Sequence, residues 1–318
     1  MKKHMICILG GSGFVGRHLV NQLVKAGHHV RLITRRIERQ RDLLIWPTVD
    51  VVEANIHDAQ ALHTHFAGCD TVVNLVAILN ESKKTTFQTV HVDLARNVAQ
   101  ACLAQGVKRL LHMSALNADA RQGASAYLRS KGEAEDVVHS ASEQGLRVTS
   151  FRPSVIFGPN DHLFNRFAGL LRYAPLIPLA CPDARFAPVY VGDVVHAFMV
   201  ALDERATLGQ RYDLCGPRTY TLEELMEYAA SVIGVKRPII GLGDTLSRIM
   251  AGIMEHAPGK PLTRDNYLSM QVDSVCHGEF PAVFGTQQTS VETAVPLYLN
   301  RRDQRARYYD FRRVAGRD

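Results

Sequence analysis

The chain has 318 residues, 46% of them apolar and 21% charged, with a formal net charge of +6. That length and balance describe a globular protein with a substantial core, either one large domain or two unequal lobes, and exclude a low-complexity or repeat-built chain. Apolar runs stop short of the roughly 18 residues of a membrane span, and the opening residues lead into a strand and a glycine turn rather than a signal-peptide core.

In chain order, residues 5–9 read as a buried strand and Phe14 to Ala26 as a helix whose apolar face carries Val15, Leu19, Val20, Leu23 and Val24, with Gly27 as its stop. Strands follow at 30–34 and 49–53, a helix at about 58–66, and a fourth strand at 71–76. A long helix is expected over about 86–105, ended by Gly106, then a strand at 109–113, a helix over 125–144 and a strand at 147–151. Strands separated by helices of this length pair in parallel through right-handed crossovers, which predicts an α/β fold with a doubly wound Rossmann sheet.

After Pro153 the pattern loosens, with prolines at 159, 175, 178, 182 and 188, helices near 192–203, 221–234 and 244–256, and a strand near 211–215. The expected organisation is a dinucleotide-binding domain over 1–155 and a smaller mixed lobe over 156–318, with segments near 188–215 completing the sheet. Pro296 interrupts the segment from Val291 onward, so no single helix is drawn through it.

The sharpest motif is Gly10-Gly11-Ser12-Gly13-Phe14-Val15-Gly16, directly after the first strand and opening the first helix. Gly10 suits the tight turn, Gly13 a close approach of backbone to pyrophosphate, and Gly16 close packing of helix on strand, while helix N-terminal amides face the phosphates. The second strand ends Thr34-Arg35-Arg36. An acid there would bind a ribose hydroxyl, whereas two guanidinium groups suit a 2′-phosphate, so NADP(H) is favoured over NAD(H).

Tyr127 and Lys131 are spaced to share one helix face, and Ser114 ends the fifth strand. Hydride transfer to a carbonyl needs an acid at the oxygen. A tyrosine beside an ammonium can supply the proton, and a serine hydroxyl can steady the same oxygen.

Over about residues 5–235 these motifs resemble the extended and atypical short-chain dehydrogenase/reductases, with the epimerase/dehydratase group as near relatives. The resemblance implies a catalytic triad at Ser114, Tyr127 and Lys131, with the lysine also holding the nicotinamide ribose. It further implies cofactor contacts at Asn55-Ile56, at Leu75-Val76-Ala77, and at Pro153 and Val155 within Phe151 to Pro159. Leu9 stands where extended members usually have threonine, Asn55 where an aspartate is common, and His91 where an asparagine is usual. Gly10 to Arg17 and Pro261 to Asn266 look most like the branch of the NDUFA-nine-type accessory subunit of respiratory complex I, which implies a structural use of bound NADP(H).

Two readings therefore stand: an NADP(H)-dependent oxidoreductase or epimerase-like enzyme acting on a small carbonyl or hydroxyl compound, and a nucleotide-bound accessory protein of a respiratory or quinone-linked membrane complex. Arginines from 301 to 317 alternate with tyrosines and could dock on an anionic membrane surface or a respiratory-complex partner. No nucleic-acid-binding pattern accompanies them. The six scattered cysteines read as free thiols in a reducing cytoplasm, with the protein in the cytoplasm or peripheral at a membrane's inner face. His57, His63 and His65 lack metal-ligand spacing, so no metal is expected. Relatives pair through the helices corresponding to 86–105 and 125–144, which implies a homodimer.

Overall fold

The computed structural model describes residues 3–300 apart from 41, 42 and 83. Strands β1 (Met5–Leu9), β2 (His29–Thr34), β3 (Val49–Glu53), β4 (Thr71–Asn74), β5 (Arg109–Met113) and β6 (Arg147–Pro153) lie in one sheet with a seventh strand, Arg211–Leu214. The order is Arg211–Leu214, β6, β5, β4, β1, β2, β3, and every pairing is parallel. The order reverses at β1, whose Ile6 and neighbours pair with β2 on one side and with β4 on the other. In doubly wound sheets ligands bind outside the carboxyl ends of the strands at that switch point.

Parallel strands bury both faces, and all four residues of β4 and all five of β5 are buried. On one face, Cys7, Leu9, Val72, Leu110 and Val148 pack against Leu62 and Phe66 of helix α2 (Ala59–Phe66), Leu94, Val98 and Cys102 of α3 (Leu94–Ala104), and Ala134 and Val138 of α4 (Ala126–Ser140). Helix α1 (Phe14–Lys25) packs against a helix at Val191–Ala201.

The chain divides into two compact units. The first is discontinuous: residues 191–214, within the segment near 188–215 expected to complete the sheet, belong to it, and so do 276–286. The physical reason is that Val191–Ala201 lies on α1 and Arg211–Leu214 extends the sheet beside β6. The second unit has its own core, built by Phe164, Phe167 and Leu171 from the helix Phe164–Tyr173 and Leu225, Met226 and Ala229 from Leu222–Ile233. A two-stranded parallel pair, Ile177–Ala180 with Ile239–Leu242, belongs to it as well.

Several expectations need correction. The long helix over 86–105 opens as a π-helical turn, Gln88–Asp93, before α3 begins. The helix over 125–144 ends at Ser140 and finishes in a 3₁₀ turn, Ala141–Gln144, capped by Gly145 at φ +94°. Val291–Leu299 is one helix despite Pro296. A proline there removes one intrahelical bond, and the buried face of Val291, Ala294, Val295 and Leu299 outweighs that loss. Cys7, Cys69 and Cys102 are buried free thiols and Cys181 is a half-buried one, but Cys215 and Cys276 are disulfide-bonded. The arginine-rich segment from 301 lies outside the described residues, and no helix among those described is long and apolar enough to cross a membrane.

Candidate dinucleotide site

The turn after β1 is built by sterics. Gly10 has φ +77°, and a Cβ on it would stand 3.1 Å from the Leu75 carbonyl carbon. Gly13 N–H closes the turn onto the Gly10 carbonyl at 3.0 Å. A Cβ on Gly16 would lie 2.5 Å from the Gly10 oxygen and from the Gly11 Cα, and one on Gly11 would strike Leu32 at 2.6 Å. At Gly16 the clash is with backbone that cannot give, and at Gly10 the positive φ adds to a tight approach, so α1 begins directly against the end of β1. Gly13 is its N-cap and has no side chain to cap with. The first-turn amides of Phe14, Val15 and Gly16 have no intrahelical acceptor, and they make a positive end suited to a phosphate.

Beside this turn lies a cavity of about 710 Å³, within the size of small-molecule sites. Its walls come from the carboxyl ends of successive strands: Gly10 and Ser12 after β1, Thr34, Arg35 and Arg36 after β2, Ile56 and His57 after β3, and Val76, Ala77 and Ile78 after β4. Arg39 and Gln40 of the 3₁₀ turn Ile37–Gln40 also line it. Among the described residues the lining thus carries three arginines and no carboxylate. Glu53, at the end of β3, accepts a bond from the Ile37 N–H at 3.0 Å.

Asn55 lies outside this lining. Its carboxamide oxygen accepts from the His57 N–H at 3.1 Å and closes the local turn. Arg17 was not singled out as a contact by sequence reasoning, although it directly follows the glycine motif. Its guanidinium donates to the Ser12 carbonyl at 3.0 Å and to Gln40 Oε1 at 2.8 Å, tying the glycine turn to the turn that bears Arg39. Pro153 ends β6, accepts from the Leu116 N–H at 2.9 Å and is not among the residues that line the cavity. Val155 belongs to the second unit.

Lys131 and Tyr127 both project from α4. Ser125 caps this helix through a bond from the Leu128 N–H. Lys131 is 1% exposed, and its Nζ donates to the Met113 carbonyl at 2.5 Å. Burial pulls its pKa down to about 8, and the neighbouring Glu135 carboxylate opposes that fall. Glu135 is itself buried and held by Arg152 and Arg211, each with a nitrogen 2.6 Å from its Oε1.

Ser114 follows Met113, so the lysine is tethered one residue before the serine. The Ser114 side chain is 3% exposed and its Oγ has no hydrogen-bond partner. A buried hydroxyl left this way costs about 1–3 kcal/mol, and a bound oxygen atom would satisfy it. Tyr127 is half-buried, with its ring edge-on to Phe87 at 5.9 Å and to His91 at 5.6 Å. His91 Nε2 accepts from the N–H of Ile78, a cavity residue, at 3.1 Å, so this group stands at the β4 flank of the cavity.

A parallel sheet with a glycine turn at its switch point and a serine, tyrosine and lysine beside it defines a Rossmann protein of the short-chain dehydrogenase/reductase type. Residues 6–215 match the NAD dependent epimerase/dehydratase family, and the chain belongs to that family. Membership places it among NAD(P)-dependent oxidoreductase and epimerase-like proteins. It is 32% identical over 245 residues to a ceramide reductase of Caulobacter vibrioides, covering 76% of this chain and 74% of that one. It is 30% identical over 227 residues to the mitochondrial NADH dehydrogenase (ubiquinone) 1 alpha subcomplex subunit 9 of Mus musculus, covering 70% of this chain and 59% of that longer relative. Among solved structures, the UDP-glucose 4-epimerase of Thermotoga maritima superposes with a TM-score of 0.73 at 16% identity, covering 93% of this chain and 97% of that one. At that identity the likeness speaks for the fold.

Proposed function

We propose that the protein is an NADP(H)-dependent oxidoreductase that interconverts a carbonyl and a hydroxyl group, with Tyr127 as the acid/base. The observation that carries this reading is the buried, unpartnered Ser114 Oγ next to the Met113 carbonyl that anchors Lys131. The glycine turn, where a Cβ on Gly16 would strike backbone, fits a pyrophosphate, and three lining arginines with no carboxylate among the described lining residues fit a 2′-phosphate.

When bound, the nicotinamide supplies or accepts the hydride. Lys131 keeps a positive charge beside Tyr127, which favours release of the phenolic proton and its transfer to or from the substrate oxygen. Ser114 donates a hydrogen bond to that oxygen and so fixes its direction and stabilises charge developing on it. Arg35 and Arg36 grip the 2′-phosphate, and the first-turn amides of α1 grip the pyrophosphate. The similarity to a protein named ceramide reductase puts lipid carbonyls first among the substrates to try. The test is oxidation of NADPH at 340 nm with a panel of lipid and small ketones. Turnover that disappears in Tyr127→Phe supports the reading, and turnover that survives in that variant contradicts it.

A second reading is favoured by the similarity to a complex I subunit: a nucleotide-bound accessory protein of a respiratory complex. It expects NADPH that stays bound for hours and no turnover with any carbonyl. Release of pre-bound NADPH into excess NADP⁺ separates the two, since an enzyme must exchange its cofactor on the timescale of turnover.

A further inference from the structure

His91 is 2% exposed and sits in the π-helical turn Gln88–Asp93, where the widened turn packs against α4. Both of its ring nitrogens are engaged. Nε2 accepts from the Ile78 N–H and therefore carries no hydrogen, so the neutral ring bears its proton on Nδ1. Nδ1–H donates to Ser130 Oγ at 2.8 Å, and that hydroxyl donates to the Tyr127 carbonyl at 2.8 Å. The same ring stacks on Phe87 at 5.4 Å and 23°, and meets Tyr127 edge-on at 81°. Tyr127 thus rests in an aromatic corner, one wall of which is bonded to the cavity on one side and to the tyrosine's own helix on the other. Burial and the charge on Lys131 hold the imidazole neutral, with a pKa pushed down to about 3, so the bond pattern persists across the physiological range.

We propose that His91 is a positioning residue that sets the Tyr127 ring against the dinucleotide cavity by bridging Ile78 and Ser130. The inference rests on the reading of Tyr127 as the acid/base, because a tyrosine that transfers protons must hold one orientation relative to the bound nicotinamide.

Nucleotide-free protein labelled at the tyrosine Cζ carbon reports the Tyr127 environment by NMR, with its line assigned through Tyr127→Phe. His91→Gln keeps one acceptor and one donor, His91→Phe keeps a ring without them, and Ser130→Ala cuts the bridge at its second link. The expected result is a Tyr127 line near the wild-type position in His91→Gln and a displaced or split line in the other two, with NADPH affinity reduced about fivefold to tenfold in those two. Folded His91→Phe and Ser130→Ala proteins with the wild-type line would overturn the proposal, as would an equal displacement in all three variants. If His91→Phe does not fold, Ser130→Ala decides. The line is read without nucleotide, so failure of every protein, wild type included, to bind NADPH would contradict the proposed function while the positioning claim is still decided by the line.

Discussion

The ammonium of Lys131 donates to the main-chain oxygen of Met113 over 2.5 Å, which fastens helix α4 to strand β5 immediately before Ser114. Burial depresses the lysine, so its folded pKa of about 8 lies below the ordinary value of 10.5. The sign follows directly: the unfolded chain holds this proton between pH 8 and 10.5 while the native state releases it, so stability rises with pH across that window and is lost as pH falls through about 8. Urea midpoints of the apo protein at pH 7.5 and pH 10 should therefore change less in Lys131→Met than in wild type, and a wider change in the variant would contradict this account.

Ser114→Ala and Tyr127→Phe should leave NADPH affinity within about threefold while reducing the rate of the chemical step by at least 10²-fold, the ordinary contribution of a positioned acid. Stopped-flow hydride transfer alongside fluorescence titration checks both halves. Equal losses of binding and rate would mean that these side chains hold the cofactor rather than act on substrate.

The glycine turn predicts a loss that is independent of chemistry. Gly16→Ala forces a methyl to within 2.5 Å of the Gly10 oxygen and the Gly11 Cα, which are backbone atoms that cannot swing aside. Overpacking of this kind costs about 1–3 kcal/mol, to be read as a lower urea midpoint, with dinucleotide binding weakened together with it.

Much of this was legible in the sequence because it depends on local rules. The β-α-β alternation, the tight glycine turn and the Tyr127–Lys131 spacing are set within a few residues, and the sheet order and the positions of Gly10 and Lys131 follow from them. What depends on distant partners was not legible. The π turn around His91 needs Ile78 and Ser130, and the Arg17 brace needs Gln40. The bond that the Asn55 carboxamide accepts within its own turn, from the His57 N–H, was not read from the sequence either.

Acid should destabilise the fold through its buried imidazoles. Burial is the leading cause that lowers His91 to about 3 and His139 to about 4, and it lowers His112 as well, all from 6.5. A depressed histidine contributes stability that is present above pH 6.5 and lost as pH falls towards the folded value. At pH 4.5 the loss from His91 is about 3 kcal/mol, so the gap between urea midpoints at pH 7 and 4.5 should narrow in His91→Gln. An unchanged gap would show that the ring titrates normally.

On the proposed function, Arg35 and Arg36 hold the 2′-phosphate and set the cofactor preference. Each charge-assisted contact to a 2′-phosphate is worth about 1.5–3 kcal/mol, so either alanine variant should lose at least tenfold in NADPH affinity with NADH changed less than about twofold. Equal losses for the two nucleotides would place the arginines outside the phosphate subsite.

The most direct test of the whole account is a competition titration of the purified wild-type protein with NADPH and NADH at one ionic strength. The account predicts saturable binding of both at a single site, with NADPH tighter by at least tenfold and that advantage erased in an Arg35→Ala, Arg36→Ala double variant. Tighter binding of NADH, or an NADPH preference that survives loss of both arginines, would contradict it.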